Sequence, residues 1–337
     1  TLMQRAGVRI VYDIQNLGVI GIGEILRKIP FFFRLRNFLL QTMEKEKPDA
    51  LVCIDYPGFN MRLIKKAKEA GIPVIYYILP TIWAWHKSRG KVIAAYTDLA
   101  IALFPFEAEL YKKIGTNVIY TGHPLLDAVR PDMGREEALS FFGLERQKKT
   151  VLLMPGSRVQ EVMGLLPCML AAAKLIVKQV PEVQFILPKA STIDRAVLDR
   201  MIRAADVPVT IGENHVYDMM NLSTAAIAAS GTATLETALM ELPTLLIYRV
   251  SALTYALSKV LVHIDNIGLP NIMPELWQNA VTAEHIAQIV IPMLTDVKRH
   301  RELSDAMTAV RRTMGESGSI DRTATAILHF VKEKHAE

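Results

Sequence analysis

Three short polar stretches, each following an apolar run, carry residue types suited to phosphate binding or proton transfer. In Ala225–Tyr248 an apolar run, Ala225–Ala229, breaks into Ser230-Gly231-Thr232; a helix-like segment runs to about Glu241, and Pro243 leads into Leu245–Tyr248. That order reads as strand, tight loop, helix, strand: one parallel βαβ unit. Free backbone N–H groups at a helix N-terminus favour an anion. Ser230, Thr232 and Thr234 add hydroxyl donors, and Gly231 lets a phosphate approach the backbone closely. Glu236, about one turn into the helix, is placed to accept from ribose hydroxyls. These features suit a nucleotide diphosphate; an ordinary βα turn with a serine N-cap is the competing account.

The second stretch, Pro155-Gly156-Ser157-Arg158, directly follows the apolar run Val151–Met154. Gly156 permits close backbone approach, Ser157 adds a hydroxyl, and Arg158 offers a fork of donors matched to phosphate. The third is CIDYPGFN, in which Asp55 ends an apolar strand. A carboxylate there, followed by Pro57 and Gly58, suits a cleft loop where partial desolvation raises its pKa towards general-base work. An Asx-turn capping the next helix is the alternative, with Asn60 as that helix's natural N-cap. Asn60, Trp83, Trp85, His123 and Arg249 are further candidates for the cleft or acceptor side. The indoles suit a loop framing a ligand or a domain boundary, whereas an isolated histidine is usually structural. Asn271, in GLPNIMPE, carries an amide able to read a uracil or a sugar, or simply to form a turn.

Those residues need a frame that points strand ends into a cleft. Ala50–Asp55, Val74–Leu79, Leu99–Phe104 and Val118–Thr121 read as strands alternating with short helices. The polar stretch Arg130–Lys149 separates them from a second set of the same kind: Val151–Met154, Gln184–Pro188, Val209–Ile211 and the unit described first. The expectation is α/β with two Rossmann-like, doubly wound parallel-sheet domains: residues 1–130, a linker at 131–149, residues 150–315, and a C-terminal helix at 316–337. Ligands of such sheets bind beyond the carboxyl ends of the strands.

The chain has 337 residues, too many for one core by default. It offers no run of ~18 uninterrupted apolar residues, so no transmembrane helix is expected. Cys53 and Cys168 lack any CxxC or Cys/His spacing and read as buried free thiols of a reducing compartment. No signal peptide is visible, and the opening at Thr1, already like the middle of a domain, suggests N-terminal truncation. A diffuse net charge of +5 suits phosphates or an acidic membrane surface but not nucleic acid. Residues 18–40 set Ile20, Ile22, Ile25, Leu26, Phe31, Phe32 and Phe33 among Arg27, Lys28, Arg34 and Arg36. That mixture suits an element lying in a membrane interface, since three successive rings cannot all face inward on a helix. No Asp-x-Asp pair is present to chelate a diphosphate-bound metal, and no GxGxxG or GxxxxGK[ST] argues for NAD or P-loop chemistry. No cofactor is expected, and no metal.

With these motifs assembled, the chain resembles the lipid-A-disaccharide synthases, GT-B-type glycosyltransferases. The resemblance rests on IDYPGFN (54–60), WAW (83–85), LFPFE (103–107), GHPLLD (122–127), LMPGSRVQEV (153–162), ASGTATLE (229–236), YR (248–249), LPNIMPE (269–275) and GESGSIDRTATAIL (315–328), in order along nearly the whole chain. It implies transfer from UDP-2,3-diacylglucosamine to 2,3-diacylglucosamine 1-phosphate, without metal and with inversion, giving a β-1,6 tetraacyl disaccharide 1-phosphate and UDP in lipid A biosynthesis. By the same resemblance Asp55 is the essential carboxylate that deprotonates the acceptor, and Arg158 holds the leaving diphosphate or the acceptor phosphate. Ser230, Gly231, Thr232 and Glu236 then line the UDP pocket, with Asn271 a nucleotide contact. It further implies a peripheral enzyme on the cytoplasmic face of the inner membrane, and dimers that exchange C-terminal parts. The family's N-terminal glycine-rich loop would precede Thr1. Gly58 stands where a second Asp is usual, and His86 where an arginine is, with Lys87 and Arg89 nearby. A UDP-sugar epimerase of similar fold, or an inactive UDP-sugar-binding protein, are the rivals.

Overall fold

The computed structural model describes residues 2–13, 22–82, 88–249 and 272–336. After the short helix α1 (Leu2–Arg5), α2 (Ile22–Glu46) runs for 25 residues through Pro30. A four-stranded parallel sheet follows, built from β1 (Leu51–Ile54), β2 (Val74–Tyr77), β3 (Leu99–Ala102) and β4 (Val118–Tyr120), in the order β1-β2-β3-β4. Its crossovers are α3 (Pro57–Glu69), α4 (Ser88–Tyr96) and α5 (Pro105–Lys113). Proline at the first turn of α3 and of α5 starts each helix where an N–H would be unpartnered anyway. Ile64, Ala67, Val74, Tyr76, Ala100 and Tyr111 are buried together in this domain's core.

The chain leaves the first sheet through α6 (Leu125–Ala128) and α7 (Arg135–Phe142). The second domain interleaves β5 (Lys149–Met154), α8 (Val159–Gln179), β6 (Val183–Lys189), α9 (Arg195–Ala205), β7 (Val209–Glu213), α10 (Val216–Leu222), β8 (Ala225–Ala229), α11 (Thr232–Leu239) and β9 (Thr244–Tyr248). A short strand that the sequence pattern did not suggest, β10 (Glu275–Trp277), pairs with β9. The sheet order is β10-β9-β8-β5-β6-β7, all parallel. From β5 the chain winds outward through β6 and β7, then returns to lay β8 against β5's other edge. The topological switch point therefore lies between β5 and β8, where Met154 is paired with Ala228. α8 is long and apolar enough to cross a membrane by composition, but Val162, Leu166, Met169 and Ala173 are buried in the domain core.

Past α12 (Ala283–Thr295) and α13 (Val297–Thr313), the last helix, α14 (Ser319–Ala336), returns to the first sheet. Ile327, Phe330 and Val331 pack on Ile75, Leu99 and Ile101. The stretches 122–127 and 315–322 are the clasp that permits this. Asp127 takes the backbone N–H groups of Gly318 and Ile320, the second at 2.8 Å, and Ser319 Oγ donates to the Gly122 carbonyl at 2.8 Å. Arg322 ties Thr121, Ser317 and Glu316 through their carbonyls. Gly122 has φ +100°, and a Cβ there would press on Ser319 Cβ at 3.1 Å, so glycine is needed twice over. Asp127→Ala should cost about 1–3 kcal/mol by orphaning two N–H groups at a helix start. A urea midpoint unchanged from the parent would remove this clasp from the account.

Candidate active site

The switch point is where the two glycine loops meet. Gly156 has φ +108°, and Arg158 is the N-cap of α8. Glu161, one turn in, folds back over the loop. Its Oε2 accepts from Ser157 N (3.1 Å) and Arg158 N (3.3 Å), and its Oε1 takes Arg158 Nη1 at 2.7 Å. A Cβ on Gly156 would stand 2.8 Å from Glu161 Cβ. The loop thus already holds a carboxylate on its N–H groups, which is the electrostatic behaviour expected of an anion site. Glu161 was not singled out from the sequence; the spacing of a capping box, N-cap to third residue, was the available signal, though arginine is an uncommon N-cap.

Across the switch point, Ser230 is half-buried while Gly231 and Thr232 are exposed. A Cβ on Gly231 would meet open space. Thr234 departs from the sequence expectation: it is buried and donates to the Gly231 carbonyl at 2.7 Å, so it shapes the turn and leaves no hydroxyl for a ligand. Ser230 N is likewise spent, on Ile247 O. Glu236 is half-buried and accepts from Tyr217 at 3.2 Å. Burial pushes its carboxyl pKa up, the tyrosine's hydrogen bond opposing. Tyr217 itself is raised to about 12, by burial first and then by the Glu236 charge.

Tyr217 also belongs to the contact between the domains. Leu125, Leu126 and Phe104, beyond the carboxyl ends of β3 and β4, pack with Leu235 and Leu239 of α11. The carboxyl rim of the first sheet therefore faces the helix that starts at Gly231. Asp55 stands on the same rim beyond β1, two strands or about 10 Å from β3. It is exposed, so the partial desolvation expected for it is absent here. Its backbone compensates in definition. Asp55 and Tyr56 both take left-handed φ, 49° and 47°, an arrangement non-glycine residues keep only where surroundings impose it. The Asp55 carbonyl receives Asn60 Nδ2 (2.7 Å) and Tyr76 Oη (2.8 Å). Asn60 is therefore not the N-cap of α3, a place held by Tyr56, but a clamp from within the helix onto the strand end. No hydrogen bond joins the Asp55 loop to the Arg158 loop among the described residues.

His123 is buried, its ring tilted against Phe104 with centroids 5.1 Å apart, and its Nδ1 accepts from Leu125 N at 3.1 Å. That places it at the domain boundary in a structural role, with the proton on Nε2. Burial lowers its pKa to about 4. The folded value lies below the unfolded one, so its contribution is complete above about pH 6.5 and is lost as pH falls through about 4. His123→Asn, which retains an acceptor, should flatten the stability loss between those values by up to about 3 kcal/mol, read as urea midpoints against pH. An unchanged profile would place the titrating group elsewhere. Arg249 reaches away from both loops, donating to Gln278 O (3.3 Å) and Val281 O (2.5 Å). Cys53 is buried, with its thiol pushed up to about 12 by burial, and Cys168 is half-buried with its pKa also raised; both are free.

Of the apolar basic segment, Phe31 and Phe32 turn inward, Phe32 lying 6.1 Å from Tyr56 and 6.0 Å from Phe59, while Phe33 is 49% exposed. Ile22, Ile25, Leu26, Arg27 and Lys28 lie on α2, but their side chains are outside the described residues, as are Ile20, Trp83, Trp85 and Asn271 altogether. Asp132, His215 and Asp218 converge within 4.8 Å. Asp218 is buried and takes Asp132 N and Met133 N on one oxygen, with His215 Nδ1 3.2 Å from the other, which pins the interdomain link to α10.

Two parallel-sheet domains bridged by a returning C-terminal helix, with glycine loops at the second sheet's switch point, one of them already holding a carboxylate, define a GT-B-type protein. Solved structures of this class agree in fold. One is a UDP-N-acetylglucosamine 2-epimerase from Listeria monocytogenes (TM-score 0.65, 14% identity, covering 98% of this chain and 86% of that one). Another is a glycosyltransferase from Rickettsia africae (TM-score 0.55, 13% identity, 99% and 86%). The sequence goes further: residues 1–330 match the family described as lipid-A-disaccharide synthetase, and the chain belongs to that family. The lipid-A-disaccharide synthase of Syntrophus aciditrophicus is 39% identical over 98% of this chain and 88% of its own length.

Proposed function

We propose that the chain is the hexosyltransferase of lipid A disaccharide synthesis, taking UDP-2,3-diacylglucosamine as donor and 2,3-diacylglucosamine 1-phosphate as acceptor. Family membership over nearly the whole chain supports the substrates, and the fold, which epimerases share, does not choose between reactions. One observation carries the mechanism: a loop of N–H groups and an arginine that already binds a carboxylate, at the second sheet's switch point, where the next strand leads into the helix packed on the first sheet's carboxyl rim. In the proposed step the acceptor 6-hydroxyl oxygen attacks the donor anomeric carbon, and the bond from that carbon to the diphosphate oxygen breaks. Asp55 takes the hydroxyl proton, UDP departs with the electron pair, and the single displacement inverts the centre. Arg158 and the helix N-termini offset the diphosphate charge, so the step needs no metal. Acylated substrates would favour a peripheral enzyme at a membrane surface, and we propose the cytoplasmic face of the inner membrane.

The test mixes donor and acceptor with the protein in EDTA. UDP release that depends on acceptor supports the reading, and release without acceptor overturns it in favour of hydrolysis or epimerase-like chemistry. Glu236→Gln should raise the UDP dissociation constant by about 10- to 100-fold, the worth of a hydrogen bond to a charged group. Equal UDP affinity, by calorimetry, would take Glu236 out of the ribose site.

A further inference from the structure

Two cavities that differ sharply in character meet at the start of α3. The first, of about 360 Å³, is walled by Ile29, Phe32 and Phe33 of α2 and by Tyr56 and Phe59 at the start of α3. Ile29 and Phe33 stay 39% and 49% exposed, so an apolar surface there is left wet. The second, of about 710 Å³, is lined by Lys65, Lys66 and Arg89, with Glu69 as its one carboxylate. Glu69 is taken up by Lys66 at 2.6 Å. Arg36, Pro57, Gly58 and Arg62 border both. Arg36 lies with its guanidinium 5.0 Å from the Phe33 ring, and Arg62 is exposed with no ion pair among the described residues. An aromatic slot opening onto a cluster of cations is complementary to one kind of occupant: an amphiphile with an alkyl tail and an anionic head.

We propose that this pair of cavities is the seat of the acylated sugar 1-phosphate acceptor, one acyl chain entering the aromatic slot and the phosphate facing Arg36 and Arg62. The assignment rests on the proposed transferase reading, and it adds where the acceptor sits. Tyr56, which walls the slot, directly follows Asp55, so the slot begins one residue from the rim carboxylate. Donor diphosphate is provided for in the other domain, and Arg62 carries no ion pair among the described residues that would compete with a second anion. Gly58 borders both cavities and a Cβ there meets nothing within 4 Å, so a side chain as bulky as phenylalanine would grow into the shared space.

The test replaces Gly58 with phenylalanine. Gly58 sits in the first turn of α3, where losing glycine does not cost helix stability, and far-UV dichroism with a urea midpoint checks the fold. Binding of 2,3-diacylglucosamine 1-phosphate below its micelle concentration is measured directly, with no need for turnover. Each methylene removed from the acyl chains should weaken wild-type binding about fourfold, from ~0.8 kcal/mol per buried CH₂, until the slot is empty. In Gly58→Phe that dependence should flatten to under about twofold, with UDP affinity unaltered. Arg62→Gln should narrow the preference for the 1-phosphate over the free 1-hydroxyl sugar. Acceptor binding by Gly58→Phe as tight and as chain-length-dependent as in the parent overturns the proposal while leaving the transferase standing. Loss of anionic-vesicle binding in that variant with acceptor binding intact also overturns it, since the slot would then serve the membrane. Chain-length-dependent binding lost in Gly58→Phe, in a parent that never turns over, supports the seat and refutes the reaction.

Discussion

Asp55→Asn is expected to lower kcat by about 10²- to 10⁴-fold while UDP affinity stays within about threefold of the parent. The amide keeps the shape of the carboxylate but has no basic lone pair to receive the acceptor proton. Folding is not at risk: asparagine tolerates the left-handed φ of 49° well, and the clamps from Asn60 and Tyr76 grip the backbone carbonyl, which the substitution leaves in place. The loops proposed for UDP sit on the other domain, so donor binding should be unaffected. Rates and UDP binding measured on the same preparation decide it. A variant that loses UDP affinity would assign Asp55 to the donor, and one that turns over normally would end its role as base.

Arg158→Ala is expected to lower kcat/KM by about 10²- to 10³-fold, with weaker UDP binding as well. Two effects combine. The guanidinium proposed to meet the diphosphate is gone, and the Glu161 carboxylate, formerly paired with it at 2.7 Å, is left on the loop as an unpaired like charge. Adding Glu161→Gln to Arg158→Ala should therefore recover about tenfold of the lost efficiency, although Glu161→Gln alone removes a capping acceptor. Strict additivity of the two substitutions, in kcat/KM and in UDP affinity, would show that Glu161 does not compete with phosphate for the loop.

The two parallel sheets were legible because strands buried on both faces write themselves as apolar runs, Val151–Met154 and Ala225–Ala229 most clearly. Strand ends and glycine loops follow in register with those runs, so Gly156, Ser157, Arg158, Ser230 and Gly231 could be marked from spacing alone. Side-chain commitments were another matter. Thr234 reads as one more hydroxyl donor, yet a hydroxyl three residues into a helix finds the Gly231 carbonyl first. Asn60 reads as an N-cap, but proline at position 57 lets α3 begin early and turns the amide back on the strand.

Local chemistry, then, was decided by the amino-acid sequence: which segments are strands, which turns need glycine, and which residues bring charge. Those depend on neighbours within a few positions, and they are written in period and residue type. The tertiary structure alone decided what depends on distant partners. Strand order put the Arg158 and Ser230 loops side by side, because β8 returned to β5 after two strands had wound outward. It brought α14 back across to Gly122 and Asp127, nearly two hundred residues upstream. It also set α2 against the start of α3 with one cavity largely aromatic and the next largely basic. Pairing of that kind is set by the packing of whole elements on one another, and no short stretch of sequence contains it.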